Sequence, residues 1–567
     1  MLLLMAAQRH AWGDSATWGT NPATMSWNTA QNWSPSSVPN GPLDVASFGG
    51  SEVTQLTIST AVEVNSATFN SGAPAFTVGV QGVGVSLFFS GIGIMNGSGL
   101  LQSFMADGGQ SGIFFQNEAN AGTLTFFGGD APQFFFTESA SAGAASFEVS
   151  SNGVFQSGLL FFDDSTAADA TISASNFAII GVYDDATAAN AKFTVTTGAI
   201  LFIADRATAD HAVATCIGGN GIYGSSIDLQ QFASAGEGSF TALGASTSGE
   251  AGSDIEISGN ATGANGTFVI GGGAAPDLAG ARLSFIDTST AGSATVTVNG
   301  GARGGAGGAI VFEGRARGGN ASISLLGNGE MDISNHLTPG VTIGSLNGQG
   351  VVFLGGRTLT IGSNNQGATF SGTIQDSGGL TKLGTGVLTL SGANIYSGAT
   401  TVSAGTLLAS NRSGSATGSG AVSVGGGTLG GRGTIAGAVS INGGGFLAPA
   451  GGTPRQATLT IQSGLSFNSG STYNCSFKAK RNKTRSDTVV ANGVTISGGA
   501  TLALSGQVQG TLQSGLWFTV ISNSAATPIS GSFSNLAEGG IVNVSGANLQ
   551  ASYHGGDGND LTLTVVP

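Results

Sequence analysis

Aspartate side chains recur at regular intervals in the middle of the chain. Asp164, Asp185 and Asp205 each follow a short apolar run, at a spacing of about 20 residues. If they occupy equivalent positions in stacked coils, their carboxylates lie about 5 Å apart and repel, and a Ca²⁺ ion between them would relieve the repulsion. The alternative is that each aspartate begins a solvent-facing turn and bonds its own backbone. We favour the turn, and we expect Arg206 to neutralise part of the charge at Asp205.

A second acidic motif lies near the end of the printed sequence. Residues 555–560, GGDGND, match the calcium-binding pattern G-G-x-G-x-D and make Asp557 and Asp560 weak candidate Ca²⁺ ligands. A single copy cannot supply both halves of a site that successive turns share. The large apolar residue expected two places after Asp560 is instead Thr562. We therefore expect a glycine-rich turn before the last strand.

Basic residues concentrate in one short segment. Five of the 17 lysines and arginines lie within eight positions: Lys478, Lys480, Arg481, Lys483 and Arg485. Such a charge run is typical of a solvated hairpin loop, which is our expectation. The alternatives are a protease-sensitive point and a contact for an anionic glycan.

Recognised catalytic motifs are missing from the sequence. It has no G-x-S-x-G, no Walker A lysine and no H-E-x-x-H, and its four histidines are scattered. We therefore assign no catalytic residue, and no cofactor other than the Ca²⁺ considered above. An extracellular polysaccharide lyase or hydrolase stays open as the alternative function, because its catalytic residues would be separate in sequence and meet only in the fold.

The composition restricts the partners. The chain of 567 residues has a net charge of −14, whereas binding to nucleic acid or to anionic membranes needs clustered cations. Charged residues are only 8%, yet 40% are hydrophobic and no run of 18 apolar residues exists. We expect no nucleic-acid partner. Cys216 and Cys475 are far apart in sequence, so we expect two unpaired thiols.

The elements that would position these groups are short strands. The apolar residues come in brief pulses between 98 glycines and many small polar residues, which is typical of a β-solenoid. Repeats of about 20 residues predict three short strands per coil and roughly 20–25 coils. Ala170, Ala191 and Ala212 recur at the end of each repeat loop, where a corner leaves little room.

The most informative stretch is residues 378–410. Its apolar runs Gly379–Leu383, Val387–Leu390, Thr400–Val402 and Thr406–Leu408 are separated by glycine corners and alternate as strands do. The stretch resembles the passenger-associated transport repeat, also called the autotransporter-associated β-strand repeat. The positions that match are Lys382, Gly384, Gly386, Leu388, Leu390, Gly392, Asn394, Tyr396, Gly398, Thr400, Val402, Gly405 and Leu407.

The resemblance implies an all-β fold, a single right-handed parallel β-helix. It also implies a bacterial protein, secreted or on the cell surface, with a structural or adhesive role and with repeat coils that assist export and folding. The implied partners are an outer-membrane translocator or other export machinery and possible glycans or cell-surface ligands. We expect the protein to be a monomer. A membrane β-barrel follows the passenger in this family, and we expect a barrel and a full signal peptide to lie outside this sequence or the passenger to be exported alone.

The order of motifs predicts five segments. Residues 1–10 resemble the remnant of a signal peptide, and residues 11–105 form a cap and the first coils. Residues 106–335 hold the acidic and alanine-rich repeats, residues 336–458 contain the transport repeat, and residues 459–567 end the helix. Four of the five tryptophans predict that the cap is aromatic: Trp12, Trp18, Trp27 and Trp33. A platform for sugars is the alternative use of these rings.

Overall fold

The computed structural model describes residues 14–128, 131–151, 157–218, 224–451 and 455–567. The predicted signal remnant and Trp12 lie outside the described residues. Within those ranges the chain is nearly all strand and turn, and its helical segments are the short 3₁₀ turns Ala30–Asn32 and Ala302–Gly304. The predicted all-β class is confirmed. None of the helical segments described is long and apolar enough to cross a membrane.

The chain divides into two compact units. One comprises residues 1–290 with 301–306, and the other residues 291–300 with 307–567. Together they hold about 18 coils of stacked parallel strands, which confirms the predicted β-solenoid. The expected 20–25 coils are too many, because coils lengthen along the first unit. Thr187 and Thr208 pair across 21 residues, whereas Ser234 and Thr262 pair across 28. The right-handed winding and the segment boundaries stay predictions.

In the first unit, each coil contributes one strand to a front sheet and one to a back sheet, and nearly all pairings are parallel. The front sheet contains Ala16–Trp18, Trp33–Ser34, Gly41–Phe48, Val62–Phe69, Ser86–Asn96, Gly112–Phe115, Gln133–Phe136, Gly158–Phe161, Ile179–Val182, Ile200–Ile203, Ser226–Leu229, Asp254–Ile257 and Arg282–Phe285. The back sheet contains Gln55–Ile58, Thr77–Gln81, Ser103–Asp107, Thr125–Gly128, Ser146–Ser150, Thr171–Ser175, Lys192–Val195, Val213–Cys216, Ser239–Ala242 and Thr267–Ile270.

The expected third strand of each coil is absent from the described coils around the alanine-rich repeats. A turn with one paired residue takes its place, in the column Asn120, Ser141, Thr166, Thr187, Thr208, Ser234, Thr262 and Thr290. The hydroxyl of Thr187, for example, accepts the backbone N–H of Ala189 at 3.0 Å. Such a local side-chain bond favours a turn over a strand. Ala170, Ala191 and Ala212 are buried at the turn ends, as the sequence predicts.

The described strands of the second unit fall into four sets, whereas those of the first unit form two sheets. One set of parallel strands is Ala309–Phe312, Glu330–Asp332, Val351–Phe353 and Thr373–Gln375. A second set is parallel apart from its strand Lys483–Ser486 and contains Thr295–Val298, Ser322–Leu325, Ser345–Gly348, Ala368–Phe370, Val387–Leu390, Thr406–Ala409, Thr428–Gly431, Phe446–Ala448, Thr472–Lys480, Lys483–Ser486 and Thr501–Gln509. An 8-stranded sheet contains Gly340–Ile343, Thr358–Ile361, Gly379–Lys382, Thr400–Val402, Val422–Val424, Val439–Ile441, Leu465–Phe467 and Val494–Ile496. A 7-stranded sheet contains Thr434–Ile435, Thr458–Ile461, Thr488–Ala491, Trp517–Asn523, Ile541–Val544, Ala547–Gly555 and Asp560–Val566.

The core consists of like side chains stacked on like. In the front sheet, Phe136 stacks on Phe115 and on Phe161, with ring centroids 4.7 and 4.8 Å apart. Each such pair contributes about 0.5–1.5 kcal/mol beyond the burial of its area. Alternate residues face outward, so a strand of four residues buries two side chains and needs its neighbours to form a core.

The first described coils contain the predicted aromatic cluster. Trp18, Trp27 and Trp33 are buried, and the ring of Trp33 lies 5.1 Å from Trp18 and 4.9 Å from Trp27 in edge-on packing. Trp27 also packs against Phe48 in the front sheet. Because these three rings are buried, they do not form an exposed platform for sugars.

Candidate functional site

The predicted ladder of Asp164, Asp185 and Asp205 combines residues of two stacked columns, because the pairing of Thr166, Thr187 and Thr208 places Asp164 and Asp185 in line with Arg206. Asp205 aligns instead with Asp163 and Asp184, and these three share a left-handed backbone with φ of 59°, 56° and 55°. The backbone N–H of Asp163 donates to the carboxylate of Asp184 at 3.2 Å, and that of Asp184 donates to Asp205 at 3.3 Å. The carboxylates thus bond the backbone of the neighbouring coil. These bonds link each left-handed corner to the next.

Arg206 stacks above Asp185 and forms its ion pair there, while its charge also interacts with Asp205, as expected, and with Asp184. Its guanidinium bonds both carboxylate oxygens of Asp185, at 2.7 and 2.5 Å. This hydrogen bonding lowers the pKa of Asp185. Both side chains are exposed, so the pair contributes little to stability.

The glycine-rich segment near Asp560 forms the turn that the sequence predicts. It joins the antiparallel strands Ala547–Gly555 and Asp560–Val566, and the N–H of Gly558 donates to the carbonyl of Gly555. The carboxylate of Asp560 accepts the backbone N–H of Asn523 at 2.8 Å, while burial raises its pKa. Asp557 is exposed. In the described ranges, no three His, Cys, Asp or Glu side chains are grouped to hold a metal ion.

Sequence reasoning missed a charged group on the outer surface of the front sheet. We call Asp228, Asp254, Glu256 and Arg282 the acidic face. Asp228 pairs in register with Glu256, and Asp254 pairs with Arg282. All four belong to adjacent strands whose alternate residues, such as Ile255, are buried in the core. The parallel register therefore places three carboxylates and one guanidinium side by side.

The acidic face differs electrostatically from the ladder. Burial is the main reason that the pKa of Asp228 is raised to about 6; the Glu256 and Asp254 carboxylates add to the effect, and a hydrogen bond with Ser226 opposes it. Burial also raises the pKa of Asp254, against the opposing effect of Arg282. A carboxyl group with a raised pKa next to a second carboxyl group is the pairing that acid–base catalysis uses.

An aromatic column lies on the same outer surface. Phe88, Phe114 and Phe135 are half-buried and stack with ring centroids 4.7 Å apart. Further along the sheet, Phe202 pairs in register with Asp228. The outer surface of the front sheet thus combines apolar rings with carboxylates.

The basic segment forms a β-hairpin, as expected. Strand Thr472–Lys480 pairs antiparallel with Lys483–Ser486, and Arg481 occupies the turn with φ of 46°.

The stretch 378–410 forms a coil held by buried polar side chains. Lys382 is 1% exposed, and its ammonium group donates to the carbonyls of Leu383, Gly384 and Ala404. Burial lowers the pKa of Lys382. These carbonyls satisfy the hydrogen bonds of the ammonium group, so this lysine closes the corner of its coil.

Asn394 connects this coil to both of its neighbours. Its side-chain oxygen accepts the N–H of Ile374 at 2.8 Å, and its amide donates to the carbonyl of Ala416 at 2.6 Å. Close by, the buried Tyr396 hydroxyl lies 2.6 Å from that of Thr400. Four residues that carry the predicted resemblance therefore make hydrogen bonds within this coil or to its neighbours: Lys382, Asn394, Tyr396 and Thr400.

The two cysteines are buried and unpaired, as predicted. Burial raises the pKa of both thiols, that of Cys216 to about 12.

Comparison with known families identifies a repeat in the stretch 378–410. Residues 380–409 match the family model of the passenger-associated-transport-repeat. No curated protein matches the chain. The matched repeat and the β-solenoid are together consistent with an autotransporter passenger-like protein.

Proposed function

We propose that this chain is a secreted or surface-exposed passenger of the autotransporter type, monomeric, with a structural or adhesive role. Its partner in export would be an outer-membrane translocator. The observation that carries the proposal is the repeat match at residues 380–409, within a coil that Asn394 bonds to both neighbours. The repeat coils would assist export by folding outside the cell.

The mechanism follows from the stack. Each coil that joins the folded part buries apolar area at about 25 cal/mol per Å², which opposes its return through the translocator. Asn394 makes its two bonds only when the coils of Ile374 and Ala416 are both in place. The transport coil would therefore lock folded neighbours together on the outer side.

The test is export of the chain fused to a signal peptide and a translocator barrel. We expect the chain to become accessible to external protease, and Asn394→Ala to reduce the displayed fraction. Ile395→Ala is the matched control, because Ile395 is 64% exposed. Equal display of both variants would contradict the role of the coil, and failure of the parent chain to reach the surface would contradict the localisation.

The acidic face favours a second candidate, an extracellular polysaccharide hydrolase or lyase. Asp228, with its raised pKa, would donate a proton to the leaving sugar oxygen while Glu256 acts as the base or nucleophile. Arg282 would hold an acidic sugar, and the aromatic column would pack against sugar rings.

Release of reducing ends or of unsaturated sugars from polysaccharides tests this candidate. Asp228→Asn and Glu256→Gln should each abolish activity, whereas Asp164→Asn, on an exposed turn, should not. No release from neutral or acidic polysaccharides, or release that both face variants retain, would reject it.

A further inference from the structure

The basic hairpin presents its cations as opposed pairs. Lys478 lies directly across from Arg485, and Lys480 lies across from Lys483. All four side chains are exposed, while the alternating residue Ala479 is buried. Directly paired residues project from the same side of a sheet, so the four positive charges share one surface.

Among the residues that the structure describes, no carboxylate forms an ion pair with any of these four side chains. Like charges directly opposed across two strands destabilise a hairpin. The chain as a whole has a net charge of −14, which makes this concentration of cations a local exception. An uncompensated arrangement of this kind suits a surface that binds an anion.

The next strand adds amides to the same surface. Gln507 pairs in register with Lys478, and Gln509 pairs with Lys480. Each of two rows across the three strands therefore holds two cations and one glutamine. These four cations and two glutamines border an open groove of about 510 Å³, which we call the cationic groove.

We propose that the cationic groove binds an acidic polysaccharide, a chain of sugars that carry carboxylate or sulfate groups. The two rows are about 7 Å apart along the strands, so successive anionic groups of an extended polymer can each meet a pair of cations. The glutamine amides can both donate to and accept from sugar hydroxyl groups.

The lining argues against two other polyanions. It contains no aromatic ring on which a nucleic-acid base could stack, and no exposed apolar side chain that could enter a bilayer. The inference deepens the adhesive part of the proposed function by naming its ligand class. It does not depend on export, so failure of binding would leave the transport coil untouched.

Binding is measured with the purified full chain at low and at high salt. The probes are dextran sulfate, polygalacturonate, uncharged dextran, phosphatidylglycerol vesicles and a DNA duplex. Two variants with equal loss of charge are compared. One replaces Lys478, Lys480, Lys483 and Arg485 by glutamine, and the other replaces four exposed cations elsewhere, Lys192, Arg315, Arg412 and Arg432.

We expect the parent chain and the scattered variant to bind an acidic polysaccharide equally, and dextran not at all. The dissociation constant of the hairpin variant for the acidic polysaccharide should be about tenfold higher or more. Added salt should weaken polysaccharide binding by the parent chain more than binding by the hairpin variant. Equal losses in both variants would show general electrostatics and overturn the proposal. Absence of binding to either acidic polymer, or tighter binding to vesicles or DNA, would also overturn it. Circular dichroism of both variants confirms that they are folded.

Discussion

A carboxylate oxygen of Asp163 accepts the backbone N–H of Glu138, one coil away, at 2.9 Å. The acceptor residue has φ of 56° and the donor residue has φ of 57°. The same relationship recurs between Gly355 and Asp376 in the second unit, at 2.9 Å. The side chain at a left-handed corner therefore closes the corner of its neighbour, which links turn chemistry to the stacking of coils.

Replacing Asp163 by alanine should destabilise the chain by about 1–2 kcal/mol. The change removes a hydrogen bond and leaves a non-glycine residue without a polar side chain in the left-handed region. Asp163→Asn keeps an acceptor and should lose less than half as much. Asp164→Ala is the neighbouring control and should cost at most about 0.5 kcal/mol. Urea unfolding measures these differences, and equal losses at positions 163 and 164 would contradict the ladder.

Asn394→Ala should be more costly, by about 2–4 kcal/mol. It leaves the N–H of Ile374 and the carbonyl of Ala416 buried without the partner they have now, and each unsatisfied group costs about 1–3 kcal/mol. Asn394→Asp should be at least as damaging at neutral pH, because it places a carboxylate against a carbonyl. Ile395→Ala serves as the control. A loss below about 1 kcal/mol in thermal or urea unfolding would show that Asn394 does not join the coils.

The strands of the transport coil were predictable in detail. The sequence predicts strands at 387–390 and 400–402, and the structure has Val387–Leu390 and Thr400–Val402. Glycine corners mark their ends, because Gly384 and Gly405 have φ of 65° and 63°. Alternation and glycine position are local properties, so they are visible in a single sequence.

Register between coils was harder to predict. Two successive repeats carry Asp-Asp, so the sequence does not indicate which aspartate takes the left-handed corner. Once the coils are aligned, the first aspartate of each Asp-Asp pair proves to be the one in line with Asp205, and the second is in line with Arg206. The acidic face was missed for a related reason, since Asp228 and Glu256 are 28 residues apart and loops of unequal length hide their equivalence.

Ionisation of Asp228 should lower the stability of the fold as the pH rises from about 4 to about 6. Its pKa is raised from 3.8 to about 6, so the native state holds more protons than the unfolded state in this interval, and the free energy of unfolding falls as the pH rises. Asp228→Asn should therefore be more stable than the parent at pH 7, by about 1–2 kcal/mol, and gain nothing below pH 4. Urea unfolding across this pH range checks the prediction, with Asp164→Asn as control. A gain that does not vary with pH would refute it.

The thiols should be inert in the folded chain. Cys216 is buried and its pKa is raised to about 12, so almost no thiolate is present at neutral pH. Cys475 is also buried and has its pKa raised. We expect no rapid reaction with a disulfide reagent under native conditions and complete reaction of both thiols in denaturant. Rapid labelling of either cysteine in the folded chain would show that its coil opens.

The opposed cations of the hairpin predict an unusual response to mutation and salt. Lys480→Gln with Lys483→Gln removes one repelling pair and should raise the melting temperature at low salt, because like charges lie directly opposite. Added salt should stabilise the parent more than this variant, since it screens only the repulsion that remains. Lys192→Gln with Arg412→Gln removes two separate charges and should not change the melting temperature in this way.

An acidic polysaccharide should also raise the melting temperature of the parent, because it binds the folded hairpin. If the Lys480 and Lys483 variant melts lower than the parent at low salt, the cations are not in mutual repulsion, and the physical argument for an anion at the groove fails.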